Sequence, residues 1–383
     1  MTTDDDKPYN VYGGLQDNNV WYGPSTYRAS AGWQSSGDYP YKSLVGGDGM
    51  QVQVDTRDNA TVYAGSQFGV YSRLNRKTRS DRKSVRPQHE LGESPIRFNW
   101  QTPIMLSRHN QDLFYIGSNR LYRSMNKGDS LIAISPDLSN GKVAGNVPYG
   151  TITTISESPT RFGLLYIGTD DGNIYVSKEN GYNWEQINQS KPVVTTKKNA
   201  KPSPKESSRT TLNTKLNTNG LWVSRVVASQ WREGRVYVTL NGYRFDNFAP
   251  YIYVSDDYGN SWKQLGRDLP NEPINVVRED PKSDSILYVG TDGGLYVSFD
   301  QGNSFMMWNG GLPKSVPVHD IAIQTRENEI VLGTHGRSLY VSKLNDIQMQ
   351  RKDPEWIKKV MAKEKGKIAP NANVDDRQPG QME

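Results

Sequence analysis

Apolar residues in this chain come in short alternating runs and never in long ones. The stretch "LYVGT" (287–291) alternates apolar with small or polar positions. It breaks at an Asp-Gly turn and resumes as a second Tyr-rich run, "GLYVSF" (294–299). Period-two alternation bounded by turn residues predicts antiparallel strands rather than helix. The pair recurs as "VYGGLQDNNVWYG" (11–23), "VYAGSQFGVYSRL" (62–74), "FYIGSNRLYRSM" (114–125) and "LYIGTDDGNIYVS" (165–177). It continues with "VYVTLNGYRF" and "YIYVS" (within 236–255), "LYVGTDGGLYVS" (287–298) and "IVLGTHGRSLYVS" (330–342). Aligned on Gly14, Gly65, Gly117, Gly168, Thr239, Gly290 and Gly333, the copies step by 51, 52, 51, 71, 51 and 43 residues. Seven such units predict an all-β chain, a seven-bladed β-propeller of four-stranded antiparallel blades.

Each unit parses into strands a to d, with a innermost. In the sixth, "PINVVRED" (273–280), "SILYVGT" (285–291), "GLYVSF" (294–299) and "SFMMW" (304–308) fill the four positions. The seventh unit has a ("VHDIAIQT", 318–325), b and c but no convincing d, and "MTTDD" reads as the stub of the first unit's innermost strand. The ring therefore closes where the two chain ends meet. The long step contains a hairpin extension at Gly242–Pro250 and an aperiodic stretch, 189–219, with six Lys and one Arg against one Glu. That composition cannot bury a core and predicts a solvated, flexible insertion. The expected organisation is a propeller over 1–345, followed by a helix and disordered tail over 346–383.

An octapeptide, "SDDYGNSW" (255–262), recurs between strands c and d as "SFDQGNSF" from Ser298, "SKENGYNW" from Ser177 and "SMNKGDSL" from Ser124. Its acidic position is Asp257, Asp300, Glu179 and Asn126 in turn. A catalytic carboxylate would not recur in four blades with Asn accepted in its place. A short polar side chain that satisfies backbone N–H groups of a tight turn would, with Gly supplying positive φ. The octapeptide reads as a structural joint, with its aromatic end filling the gap between blades.

These motifs resemble the Asp boxes of bacterial-neuraminidase (BNR) repeats, shared by sialidases, tandem-propeller xyloglucanases and sortilin-type propellers. "PYNVYGGLQDN" (8–18), "GGDGMQV" (46–52), "RFNWQTPI" (97–104), "YGTITTISESP" (149–159), "FAPYIYVS" (248–255) and "VPVHDIAI" to "VLGTHGR" (316–337) are similar to large bacterial sortilin-like BNR proteins. The resemblance covers about residues 1–345 and implies the second of two tandem propellers. It also implies a secreted, periplasmic or cell-surface location and a glycan, peptide or protein ligand. A site shared between two propellers would need a preceding propeller that this sequence does not contain.

Composition narrows the chemistry further. Cysteine is absent, so there are neither disulfides nor thiolate ligands. No run of about 18 apolar residues offers a membrane span, and the first ten residues lack the apolar centre of a signal peptide. The net charge of +5 concentrates in the insertion and the tail, which argues against nucleic acid. No phosphate loop, zinc spacing or Ser-His-Asp order is present. No calcium-loop spacing is present either, although the acids of the loops leave Ca²⁺ as the one conceivable metal.

With strands a and c parallel, loops d–a and b–c share one face and the octapeptides decorate the other. A concave mouth with converging polar groups is where a propeller takes a ligand. Candidate ligand-binding residues there are Gln67, Trp100, Arg120, Asp170, Arg225, Arg244, His319, His335 and Arg337, with Trp100 and Trp222 suited to stacking on sugars. A glycosidase would need two carboxylates about 5–10 Å apart, for which Asp48 with Asp17 or Asp320 is the candidate set. Asp171 and Asp292 read as turn caps. Three functional classes stay open: a binding domain, a glycoside hydrolase or the C-terminal half of one, and a structural subunit of a secreted assembly. "PIRFNW" (95–100) departs from the Arg-Ile-Pro motif that a sialidase would carry.

Overall fold

Seven antiparallel sheets follow one another along the chain, one for each sequence repeat. The computed structural model describes residues 1–28, 32–37, 39–141, 149–189, 215–313 and 315–350. Most of the expected basic insertion (190–214) and the tail beyond 350 lie outside the described residues. One compact unit, Met1–Lys343, holds all seven blades. A second begins at Leu344 and includes the helix Asn345–Gln350.

The innermost strands are Thr2–Thr3, Val52–Val54, Ile104–Leu106, Ile152–Glu157, Trp222–Ala228, Ile274–Glu279 and Val318–Gln324. Thr2 and Thr3 pair with Tyr12 and Val11, so blade 1 has its strand a and is four-stranded. Among the described residues blade 7 has three strands, Val318–Gln324, Glu329–Thr334 and Leu339–Lys343. In blade 5 the b–c hairpin is lengthened, as the sequence indicated, by a 3-10 turn at Tyr243–Phe245 and a nine-residue strand Asn247–Ser255.

The repeated residues make the blade cores. Tyr12, Tyr63, Tyr115, Tyr166, Tyr237 and Tyr288, from the aromatic position of strand b, are all fully buried. The glycine that follows lets the next blade approach: a Cβ at Gly168 would lie 2.3 Å from Val223 Cγ1. Innermost strands present an unpaired edge, and buried edge N–H groups need acceptors. Side chains of the preceding blade supply them. Gln51 and Gln53 accept from the N–H groups of Ile104 and Leu106, and Thr154 and Ser156 from those of Val226 and Ala228.

The octapeptides are turns built alike. In blade 5, Gly259 N–H donates to Ser255 Oγ at 2.8 Å, and Ser261 donates to Asp257 through both its N–H (2.8 Å) and its hydroxyl (2.6 Å). Ser298 and Asp300 of blade 6 repeat these bonds, as do Ser124 and Asn126 of blade 3. In each copy a left-handed residue precedes a left-handed glycine: Lys127–Gly128, Asn180–Gly181, Tyr258–Gly259 and Gln301–Gly302. Trp184 and Trp262 donate from their indole N–H to Ile134 and Ile187 carbonyls in the preceding blade.

Ring closure joins blade 7 to blade 1. Gln324 Nε2 donates to the Asp4 carbonyl (2.8 Å), Arg326 to the carbonyls of Asp5 and Asp6, and Tyr9 Oη to Glu329 (2.7 Å).

Candidate functional site

The loops of the d–a and b–c face bring the expected residues into separate groups. The first lies at the innermost strands. Arg225 Nη2 donates to Asp320 Oδ1 at 3.0 Å, Arg278 Nη2 approaches it at 3.5 Å, and the Met1 amino group holds Oδ2 at 2.7 Å. Burial alone would raise the Asp320 carboxyl, but the Met1 amino group, Arg225 and Arg278 hold it well below the usual carboxylate range. Asp320 is therefore a fixed anion.

The second group is a histidine pair. The rings of His319 and His335 lie 4.9 Å apart, and His319 Nε2 is 3.9 Å from Asp292 Oδ1. Burial and the neighbouring His335 lower the pKa of His319, against the pull of Asp292. Asp292 itself accepts from Asn275 Nδ2 at 2.8 Å.

The third group is aromatic. Phe68, on the blade 2 b–c loop, meets Trp100 edge-on at 5.2 Å and Tyr149 at 6.0 Å. Its backbone N–H donates to the Trp100 carbonyl, and it is 37% exposed with φ +56°. A bulky side chain in that backbone region is uncommon and needs support from its surroundings. In blade 5 the Arg244 guanidinium lies 4.3 Å over the Trp222 ring, with Tyr149 and Asp170 close enough to act on its charge. Tyr243 (60% exposed) and Phe248 (46%) pack edge-to-face beside it.

The remaining candidates stand apart from these groups. Asp48 caps the blade 1 loop, accepting Asp17 N–H at 2.8 Å, and the exposed Asp17 holds φ +59°. Gln67 lies beside Gly47 with its buried Oε1 unpartnered. Arg120 is bound to Ser118 through its backbone, and Arg337 is exposed.

Asp170 is fully buried and ties three segments together. It accepts from Asn99 Nδ2 (3.2 Å), Tyr149 N–H (2.7 Å), Thr151 N–H (2.8 Å) and Thr151 Oγ1 (3.0 Å). Burial, with the charge of Asp171 adding to it, pushes its carboxyl up to about 6 against these hydrogen bonds. A folded-state pKa above the unfolded value means that the folded chain binds this proton more tightly. The contribution is complete below about pH 4 and is lost as pH rises through 6, up to about 3 kcal/mol. Asp170→Asn lacks this titration. The wild type is expected to gain melting temperature relative to the variant by a few degrees between pH 7.5 and pH 5, measured by thermal melts in matched buffers. A difference independent of pH would assign Asp170 an ordinary pKa.

Loop composition drew attention to polar letters and passed over Phe68, Tyr149 and Arg278. Phe68 sits in "SQFG" (66–69), where an aromatic within a turn was the available signal. Arg278 falls at an innermost-strand position, where alternation alone does not separate channel from core. Among the described residues no group of three or more His, Asp or Glu side chains is placed to hold a metal ion, and no helix is long and apolar enough to cross a membrane.

No protein-family model and no curated protein matches the sequence. Solved structures match the fold. The GH74 xyloglucanase from Xanthomonas campestris superposes with a TM-score of 0.57 at 15% identity, over 87% of this chain and 50% of that one. The crystal structure of the mitotic checkpoint complex contributes a chain with a TM-score of 0.52 at 11% identity, over 89% of this chain and 85% of that one. The extracellular domain of a hybrid two-component system from B. thetaiotaomicron gives 0.50 at 18% identity, over 87% of this chain and 37% of that one. The chain thus spans half of the xyloglucanase chain and little more than a third of the extracellular domain. At these identities the likeness defines the class, a seven-bladed β-propeller.

Proposed function

We propose that this chain is a binding domain that takes a glycan or protein ligand on the face carrying its d–a and b–c loops. One observation carries the reading: that face exposes aromatic side chains while four of its candidate acids serve the scaffold. Phe68, Tyr243 and Phe248 are exposed, and Trp100, Tyr149 and Trp222 half-buried. Asp48, Asp170, Asp292 and Asp320 are each engaged by the protein's own donors. Exposed aromatic rings beside arginine offer large contact area at little entropic cost, the composition of binding hot spots. The BNR-like repeats support a secreted, periplasmic or cell-surface setting, with a preceding propeller as a further partner.

The second reading, one half of a glycoside hydrolase, is favoured by the half-length match to a xyloglucanase and by the bond from the Asp17 backbone N–H to Asp48, which puts two acids on one loop system. A hydrolase requires a protonated acid that substrate can reach. The mouth carboxyls that burial pushes up, Asp170 to about 6 and Asp171 beside it, are both buried.

A glycan and peptide array probed with the purified chain, with released sugars monitored, tests both. Phe68→Ala and Arg244→Ala are expected to weaken the ligand found by about tenfold each, the loss of one good contact. Undiminished affinity in both would remove the mouth as the site. Sugar release abolished by Asp48→Asn would establish the hydrolase instead.

A further inference from the structure

Blades 6 and 7 use the same tetrapeptide, "LYVS", in strand c: Leu295–Ser298 and the first four residues of Leu339–Lys343. In blade 6 all four residues are buried, whereas in blade 7 Leu339, Tyr340 and Val341 are half-buried and Ser342 is exposed. The fourth strand accounts for the difference. In blade 6, Met306–Met307 pairs with Val297 and Tyr296, and Trp308 N–H donates to the Leu295 carbonyl at 2.8 Å. Among the described residues no strand pairs with the outer edge of Leu339–Lys343. Its outward N–H and C=O groups form a template for another strand.

We propose that this edge receives one short extended strand from a partner polypeptide, completing blade 7 by β-strand addition. The other blades define the chemistry of that strand. Two residues pair antiparallel, opposite Val341 and then Tyr340, as Met306 and Met307 do opposite Val297 and Tyr296. An apolar residue follows and donates its N–H to the first carbonyl of strand c, as Ile134 does to Leu121 and Ile187 to Ile174; in the longer strand of blade 5, Leu265 donates to the corresponding Ile252. The next side chain accepts the N–H of that same first residue. Ser135 Oγ takes Leu121 N–H at 2.8 Å, and Asn188 Oδ1 takes Ile174 N–H at 2.7 Å.

In blade 7 that first residue is Leu339, which pairs with Gly333 as Leu121 pairs with Gly117 and Ile174 with Gly168. Two positions before it, Arg337 is exposed, and no described residue engages its guanidinium. An aspartate at the fourth position of the incoming strand would accept from Leu339 N–H and face Arg337. The partner strand is therefore two pairing residues, an apolar residue and an acid.

The natural probe is the strand that covers the same tetrapeptide in blade 6. Fluorescence polarisation with the full chain compares the peptide NSFMMWN, copying residues 303–309, with NSFMMWD. Both are expected to bind saturably. The acidic peptide should bind about tenfold tighter, the effect of one charge-assisted hydrogen bond. Methylating its tryptophan N–H should abolish binding. Arg337→Ala should erase the preference for the acid while leaving NSFMMWN unchanged. Residues two apart share an edge, so Val341→Pro removes an outward N–H at a position where edge strands tolerate proline, and it should prevent binding. Should that variant fail to fold, the methylated peptide and Arg337→Ala decide. No binding to the full chain, or equal binding of the methylated peptide, overturns the proposal.

Discussion

Arg76→Ala is expected to cost about 3–5 kcal/mol and to lower the melting temperature by roughly 10 °C, the usual scale for breaking a buried ion pair from one side. Arg76 belongs to blade 2 and reaches into blade 1. It is 7% exposed, pairs with Asp6, approaches Asp4 Oδ2 at 3.2 Å and donates through Nε to the Asn59 carbonyl at 2.6 Å. Its guanidinium lies 5.1 Å over the Tyr22 ring and 6.0 Å from Tyr12. Asp4 is wholly buried, and its other partners, Asn10, Tyr12 and the Asp6 backbone N–H, are neutral donors. Alanine would therefore leave a buried carboxylate without its counter-charge. It would also empty the space over two rings, where an arginine stem packs as well as pairs. The effect should exceed that of Arg57→Ala, which removes a half-exposed partner of Asp55 and leaves Lys127 at 3.9 Å. Chemical denaturation of both variants checks the ranking. Equal, small losses would show that Tyr12 and Asn10 suffice to hold Asp4.

That network illustrates what the sequence could and could not convey. The b–c hairpins were legible because their pattern is local: an aromatic, a glycine, a turn and a second aromatic run within about fifteen residues. The outermost strands were less so, because pairs such as Glu185–Gln186 and Lys263–Gln264 bury little and carry no alternation. Thr2–Thr3 is equally short, and its place as an innermost strand depends on Val11 and Tyr12. The octapeptides gave both their location and their role, since a repeated acid that tolerates Asn is explained by turn geometry alone.

The site was legible as a list of loop residues and not as a set of free groups. Asp170 looks like its neighbour Asp171 in "TDDG" (169–172), yet it is anchored by Asn99, 71 residues earlier, and by Tyr149 and Thr151. Whether an acid is consumed by the scaffold depends on donors brought in by the ring, which no local pattern carries. The same holds for Asp320, whose partners Arg225 and Arg278 come from blades 5 and 6. Phe68 and Tyr149 reverse the lesson. Neither carries a charge or a repeat position to mark it, yet the two meet in loops outside the blade cores.

The joint offers the second large effect. Gly259→Val is expected to destabilise the propeller by about 3 kcal/mol or more, through backbone conformation and crowding together. Gly259 holds φ +94°, a region closed to β-branched residues except at a cost of roughly 1–3 kcal/mol. A Cβ there would stand 2.4 Å from Ile187 Cδ1 and 2.8 Å from Ile187 Cβ, so the preceding blade must move as well. Gly128 meets Val85, Gly181 meets Ile134 and Gly302 meets Leu265 in the same way, which makes the contact a general seam between blades. Asp257→Ala removes only the bonds to Ser255 and Ser261, at a surface turn, and should cost about 1–2 kcal/mol. The octapeptides lie on the face away from the mouth, so both variants should keep the affinity of any ligand bound there at temperatures where they are folded. Denaturation curves and binding isotherms on the same preparations separate the possibilities. A folded Asp257→Ala protein with normal stability and no binding would move the functional face to the octapeptide side of the ring.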